Sequence, residues 1–117
     1  MELFIDTTDK NFLQLRLTQA GRVLARRKIK TNFNQSEKLW PALDKLLAAA
    51  GADLPKIKKI IVANGAGSFT SLRIGIAAAN GLAYALGIAV ADDQGRVKQQ
   101  GRLKIVAPRY ERAAKIG

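Results

Sequence analysis

The residues best placed for chemistry are Asn64-Gly65-Ala66-Gly67-Ser68-Phe69-Thr70, between an apolar run and a helical pattern. Glycines let backbone N–H groups converge on an anion, and a helix N-terminus adds partial positive charge there. Gly65, Gly67, Ser68 and Thr70 therefore form a candidate phosphate loop. No Lys-Ser/Thr pair follows its last glycine to hold phosphate and magnesium, and the glycine spacing is not that of a dinucleotide-binding turn. The alternative is a structural turn whose Ser68 or Thr70 merely caps the helix. Asp6, closing the first apolar stretch, is a second candidate. A catalytic role would need another carboxylate converging on it, and Asp92 and Asp93 are the candidates.

Composition narrows the chemistry further. The 117 residues contain no cysteine and no histidine, which removes thiol catalysis, zinc-thiolate sites and the usual general base. No metal site and no cofactor are expected. Apolar residues make up 48%, enough for one domain with its own core. The richest apolar segment, residues 72–91, is interrupted by Arg73, Asn80 and glycines, so no membrane span is expected. The start Met1-Glu2-Leu3-Phe4-Ile5-Asp6 does not read as a secretory signal, and a cytoplasmic protein is expected. The formal charge of +11 favours acidic partners such as RNA. Basic residues crowd at 22–30 and 56–59, and residues 93–117 form a basic linker and tail that is the expected polyanion contact.

These residues need elements to position them. Residues 2–6 read as a strand, and Leu13, Leu15 and Leu17 alternate with polar residues as in a strand with one buried face. Gln19-Ala20-Gly21-Arg22 reads as a hairpin turn into a third strand at 22–30. Leu39, Leu43, Leu46 and Leu47 recur at helical spacing after Ser36, a suitable N-cap, and Gly51 closes that helix. Trp40 reads as a partly buried core residue, and Phe4, Phe12 and Phe69 read as buried. A β-branched strand at 57–63, a helix at 68–86 and a strand at 87–91 follow. The order βββαβαβ, with a basic C-terminal tail, implies a mixed five-stranded sheet joined by right-handed crossovers. By topology this resembles one actin-like, ribonuclease H-like lobe (the ASKHA superfamily) over residues 1–92.

The second helix carries Ser71, Gly75, Ala78, Ala79, Gly81, Ala83 and Ala85. An interior glycine costs about 1 kcal/mol relative to alanine, so a thin surface here predicts a close approach by another helix, either within the domain or from a partner chain.

Ile5-Asp6-Thr7-Thr8, Ser36-Glu37-Lys38-Leu39-Trp40-Pro41, and Gly65-Ala66-Gly67-Ser68-Phe69-Thr70-Ser71-Leu72-Arg73-Ile74-Gly75 with Asn80-Gly81-Leu82-Ala83 and Leu86-Gly87-Ile88 resemble the TsaB family. That family is the non-catalytic, glycoprotease-like partner in bacterial synthesis of threonylcarbamoyladenosine on tRNA. The resemblance implies a pseudoenzyme that binds and activates a TsaD-type catalytic subunit, with a TsaE-type ATPase joining the cycle. It also implies a homodimer when the chain is alone, and the basic surface could assist tRNA. The implied partner surface is the two helices, with Leu39, Trp40, Leu43, Leu47, Ser71, Arg73, Gly75, Ala78, Ala79 and Leu82 as contact residues. In this setting Asp6 and the glycine loop become a vestigial phosphate site.

Departures from the family pattern are Ala66 in place of a usual proline, Ser71 in place of glycine, and Gln35 where histidine is frequent. The usual chain is nearly twice as long. Most of the second lobe is therefore expected to be missing, joined through residues 92–101 to an ending, Pro108-Arg109-Tyr110-Glu111-Arg112, that resembles the family's. Two other classes of function stay open at this stage: a nucleotide-binding phosphotransferase or ATPase remnant, and a small basic RNA-binding module.

Overall fold

Glu2–Asp6 (β1), Phe12–Gln19 (β2) and Arg22–Lys30 (β3) form an antiparallel meander, after which the chain runs through Gln35–Ala50 (α1), Lys59–Val62 (β4), Phe69–Leu86 (α2) and Ala89–Asp92 (β5). The computed structural model describes residues 1–65 and 69–109, with Phe69 in its backbone only. The five strands make one sheet in the order β3-β2-β1-β4-β5, and β1, β4 and β5 run parallel. This is the expected mixed α/β lobe.

The β2–β3 turn places Ala20 at φ 52° and Gly21 at φ 78°. Two successive positive φ values match the right-handed twist of a two-residue hairpin. Past the turn, the register shifts between Leu17 and Thr18, leaving Leu24 as the extra residue of a bulge.

Both helices cover one face of the sheet. Leu3 and Ile5, Leu13, Leu15 and Leu17, and Ile60 and Val62 point into that layer, where they meet Leu39, Leu43 and Leu46 of α1 and Leu72, Ile76 and Ala79 of α2. The period of two along the strands and of about 3.6 along the helices thus closes a single core. Each helix ends on a left-handed glycine: Gly51 N–H donates to Ala48 and Ala52 N–H to Leu47, and Gly87 and Ile88 repeat the pattern on Tyr84 and Ala83. These are Schellman caps, in which glycine carries no Cβ penalty.

Two local expectations are corrected. The N-cap of α1 is Asn34, not Ser36, and Gln35 is the first helical residue. Gln35 is drawn in because its side-chain amide donates to the Thr7, Asp9 and Phe12 carbonyls, at 3.3, 2.8 and 3.1 Å. Those carbonyls end β1 and begin β2, so one buried amide ties the β1–β2 turn to the helix start. Trp40 is 47% exposed, because the residues that face the sheet are Leu39 and Leu43, and Trp40 lies about 100° round the helix from Leu39.

Lys98–Gln100 (β6) and Leu103–Ile105 (β7) form a separate hairpin, and Val106 beyond it is buried in the core. The end of the tail, residues 110–117, lies outside the described residues.

Candidate functional site

The carboxyl ends of β1, β4 and β5 meet at one edge of the sheet, where the candidate chemical residues collect. Asp6 Oδ1 accepts from Thr8 N–H at 2.8 Å and from the Thr8 hydroxyl at 2.6 Å, a local turn of the kind aspartate favours. Ile5, Val62 and Asp92 stand in one register row. Because successive strand residues point to opposite faces, Asp92 shares the helix-covered face with Ile5 and Val62, and Asp6 points to the other. These two carboxylates do not converge. Asp93 is tied to Asn64, whose N–H donates to its Oδ1 at 3.2 Å.

Asp92 is buried and used internally. Its Oδ1 accepts from Gln94 N–H and Arg96 N–H, and its Oδ2 from the Arg96 guanidinium at 3.1 Å and the Asn64 amide at 3.2 Å. Burial pulls the carboxyl upward, but these hydrogen bonds together outweigh it and hold the group below its ordinary 3.8. Such a carboxylate organises a turn and has no oxygen left over for a substrate.

The segment after the hairpin seals this edge. Asn64 donates to the Ala107 carbonyl at 2.9 Å and accepts from Arg109 N–H at 2.8 Å. Asn80, on α2, pairs with both backbone groups of Val106 at 2.9 Å. Residues 106–109 are therefore clipped to the lobe by two asparagine amides. Of the candidate phosphate loop, Gly65 follows directly on this clip and Thr70 is exposed in the first turn of α2. Gly67 and Ser68 lie outside the described residues.

Thr7 locks the loop-bearing helix to β1. Its hydroxyl donates to the Ser71 carbonyl at 2.5 Å and accepts from Gly75 N–H at 3.0 Å. A Cβ on Gly75 would strike that oxygen. The glycine thus serves a strand-to-helix contact inside the lobe, which the expectation of a close helix contact did not include.

The outer surface of the helix layer has a different character. Leu39, Leu43, Leu47, Ser71, Gly75, Ala79 and Leu82 are buried against the chain's own sheet and shape this surface from beneath; Trp40 and Arg73 are exposed and Ala78 is half-buried. Ala77, Gly81 and Ala85, one turn apart, are exposed together. A Cβ on Gly81 would meet open space, so nothing in the lobe requires glycine there. Tyr84 is 72% exposed beside them. A groove of about 690 Å³ continues this surface from Gly81 and Tyr84 to Leu103 and Ile105 of the hairpin. These residues were legible only by phase: they fall four apart on the face opposite Leu72, Ile76 and Ala79.

Comparison with known proteins places this architecture. A family model described as "TsaD: tRNA N6-adenosine threonylcarbamoyltransferase" matches residues 29–92, more than half of the chain. Among curated proteins, none matches. The fold is similar to that of YeaZ from Pseudomonas aeruginosa, with TM-score 0.71 and 31% identity, covering 78% of this chain and 42% of that one. A second structure, described as an uncharacterized protein with similarity to peptidase YEAZ from Pseudomonas aeruginosa, gives TM-score 0.72 and 31% identity, over 78% of this chain and 41% of that one. The chain thus spans less than half the length of the structures it matches. On the matched residues, the sheet order and the shared helix layer, the chain belongs to the TsaD family of that model, and within it resembles the TsaB (YeaZ) type.

Proposed function

We propose that this chain acts in threonylcarbamoyladenosine modification of tRNA as a non-catalytic scaffold subunit. In this reading it binds and activates a TsaD-type enzyme through the outer face of α1 and α2. The observation that carries the reading is Gly81, an exposed glycine in the middle of a helix with open space over it. Helix propensity disfavours it by about 1 kcal/mol, and the lobe itself gains nothing from it. With Ala77 and Ala85 it forms a shallow track into which a second helix can settle at close range. Trp40, Tyr84 and the half-buried Ala78 supply apolar area on the same layer.

Non-catalytic status is supported by Asp6 and Asp92 facing opposite sides of the sheet and by the full internal use of Asp92. A TsaE-type ATPase would join the assembly once the TsaD-type subunit is bound. Without that subunit the same track would pair two copies of the chain, and the setting would be cytoplasmic. Among the described residues, no helix is long and apolar enough to cross a membrane.

The test is Gly81→Leu. Replacing an exposed helical glycine should leave the fold as stable or firmer, while the bulk placed on the track should weaken association with the cognate TsaD-type protein at least tenfold. Unchanged affinity by calorimetry would remove this face from the reading. No association of the parent chain at micromolar concentration would remove the scaffold role itself.

A further inference from the structure

On the face opposite the helices, β2 and β3 present a row of exposed side chains whose charge is one-sided. Between Asp9 and Glu37 the chain has no acid. The antiparallel register sets Lys30 beside Phe12, Lys28 beside Gln14, and Arg26 beside Arg16. All of these share the face opposite Leu13, Leu15 and Leu17, and the four cations are exposed. None of the four has a carboxylate within ion-pair distance among the described residues. Of the two β1 acids on the same face, Asp6 is engaged by Thr8, and Glu2, one row from Arg16 beside Thr18, is in register with Lys59 on its other side.

Two features show that the cluster is built rather than scattered. The Arg16 guanidinium lies over the Phe4 ring at 4.5 Å, and the Lys28 ammonium over Phe12 at 4.4 Å. Half-buried rings thereby hold the cations at defined positions. Arg16 and Arg26 are direct cross-strand partners, an arrangement of like charges that destabilises a sheet. Among the described residues neither arginine forms an ion pair that would relieve this repulsion. Along β3 the cations recur every second residue, about 6.6 Å apart, which suits a run of phosphates better than a single anion.

We propose that the open face of the sheet, through Arg16, Arg26, Lys28 and Lys30, binds the phosphate backbone of structured RNA. The choice of RNA as the polyanion rests on the tRNA-modification reading above; the charge geometry does not. The rings within the cluster, Phe4 and Phe12, lie beneath the cations, and the exposed ring nearest in sequence, Phe33, lies beyond the end of β3 with Lys10 over it. Binding is therefore to the backbone and insensitive to sequence.

The experiment uses the full chain without any TsaD-type protein, so that failure of the scaffold reading leaves it interpretable. Anisotropy of a short labelled RNA hairpin is followed between about 50 and 200 mM salt. Four phosphate contacts predict a log–log slope of about −3 and roughly 50- to 150-fold weakening over that range. Arg26→Gln with Lys28→Gln should halve the slope, whereas Lys45→Gln with Lys56→Gln, an equal loss of charge elsewhere, should not change it. A second variant separates folding from binding. Arg26→Glu converts the repulsive pair with Arg16 into an attractive one, so it should melt no lower than the parent while binding RNA at least tenfold more weakly. Equal weakening by the control pair, binding of polyglutamate or phosphatidylserine vesicles as tight as that of RNA, or an Arg26→Glu chain that binds RNA normally would each overturn the assignment.

Discussion

The Thr7 hydroxyl sits between the Ser71 carbonyl and the Gly75 N–H, donating to the first and accepting from the second across a separation of 64 to 68 residues in sequence. It interposes the side chain of the residue that follows β1 in one rung of α2 and is possible only because Gly75 lacks a Cβ. The first strand and the loop-bearing helix are thus positioned by one hydroxyl.

Gly75→Ala should therefore destabilise the chain by about 1–3 kcal/mol, the usual cost of overpacking, even though alanine is the better helix former. The obstructing atom is the Thr7 oxygen. Thr7→Ala alone should cost about 1–2 kcal/mol for the lost buried hydrogen bonds. Combining the two should cost clearly less than their sum, because the second change removes the obstacle to the first. Urea unfolding of the four chains measures this coupling, and strict additivity would show that Thr7 and Gly75 do not interact as described.

Asp92 supplies a pH dependence. Its carboxyl titrates below the ordinary 3.8 in the folded chain, so over that interval the unfolded chain binds more protons than the folded one. The associated stability is complete above about pH 5 and is lost as pH falls through 3.8 toward the folded value. Asp92→Asn places an NH2 group against donors from Arg96, Gln94 or Asn64 and should cost about 2 kcal/mol at neutral pH. Its stability should also decline less steeply between about pH 5 and 3 than that of the parent. Parallel pH profiles of the two chains would assign the acid sensitivity to other carboxylates.

The sheet, its order of elements and the C-terminal end of α1 were legible because each rests on a local signal: alternation at Leu13–Leu15–Leu17, helical spacing at Leu39–Leu43–Leu46, and glycine at 51. What escaped were residues whose role depends on distant backbone. Gln35 looks like an ordinary polar residue before a helix, yet it is fully buried with three carbonyls around its amide. Asn64 and Asn80 give no local sign that they hold residues 106–109, some 26 to 45 positions away. On α2 the small residues predicted a close approach, but small size alone did not separate Gly75, pressed against Thr7, from Gly81, open to the surface.

Asn80 and Val106 allow the clip to be tested as a separate unit. The Asn80 amide donates to the Val106 carbonyl and accepts from its N–H, both at 2.9 Å, imitating a strand partner for one residue. Asn80→Ala removes both bonds and leaves the backbone of a buried residue unpaired, at a cost of about 1–3 kcal/mol. That cost should fall on the segment rather than on the sheet, because the β1–β5 ladder does not depend on it. Hydrogen exchange should therefore speed up at the Val106 and Arg109 amides while the Ile5, Leu15 and Ile60 amides keep their protection. The Arg109 effect arises because its N–H bonds to Asn64, a partner left intact that the loosened segment can no longer hold in register. Faster exchange at Val106 alone would mean that the two asparagines act independently, and uniform acceleration across the sheet would mean that residues 106–109 are part of the core's cooperative unit.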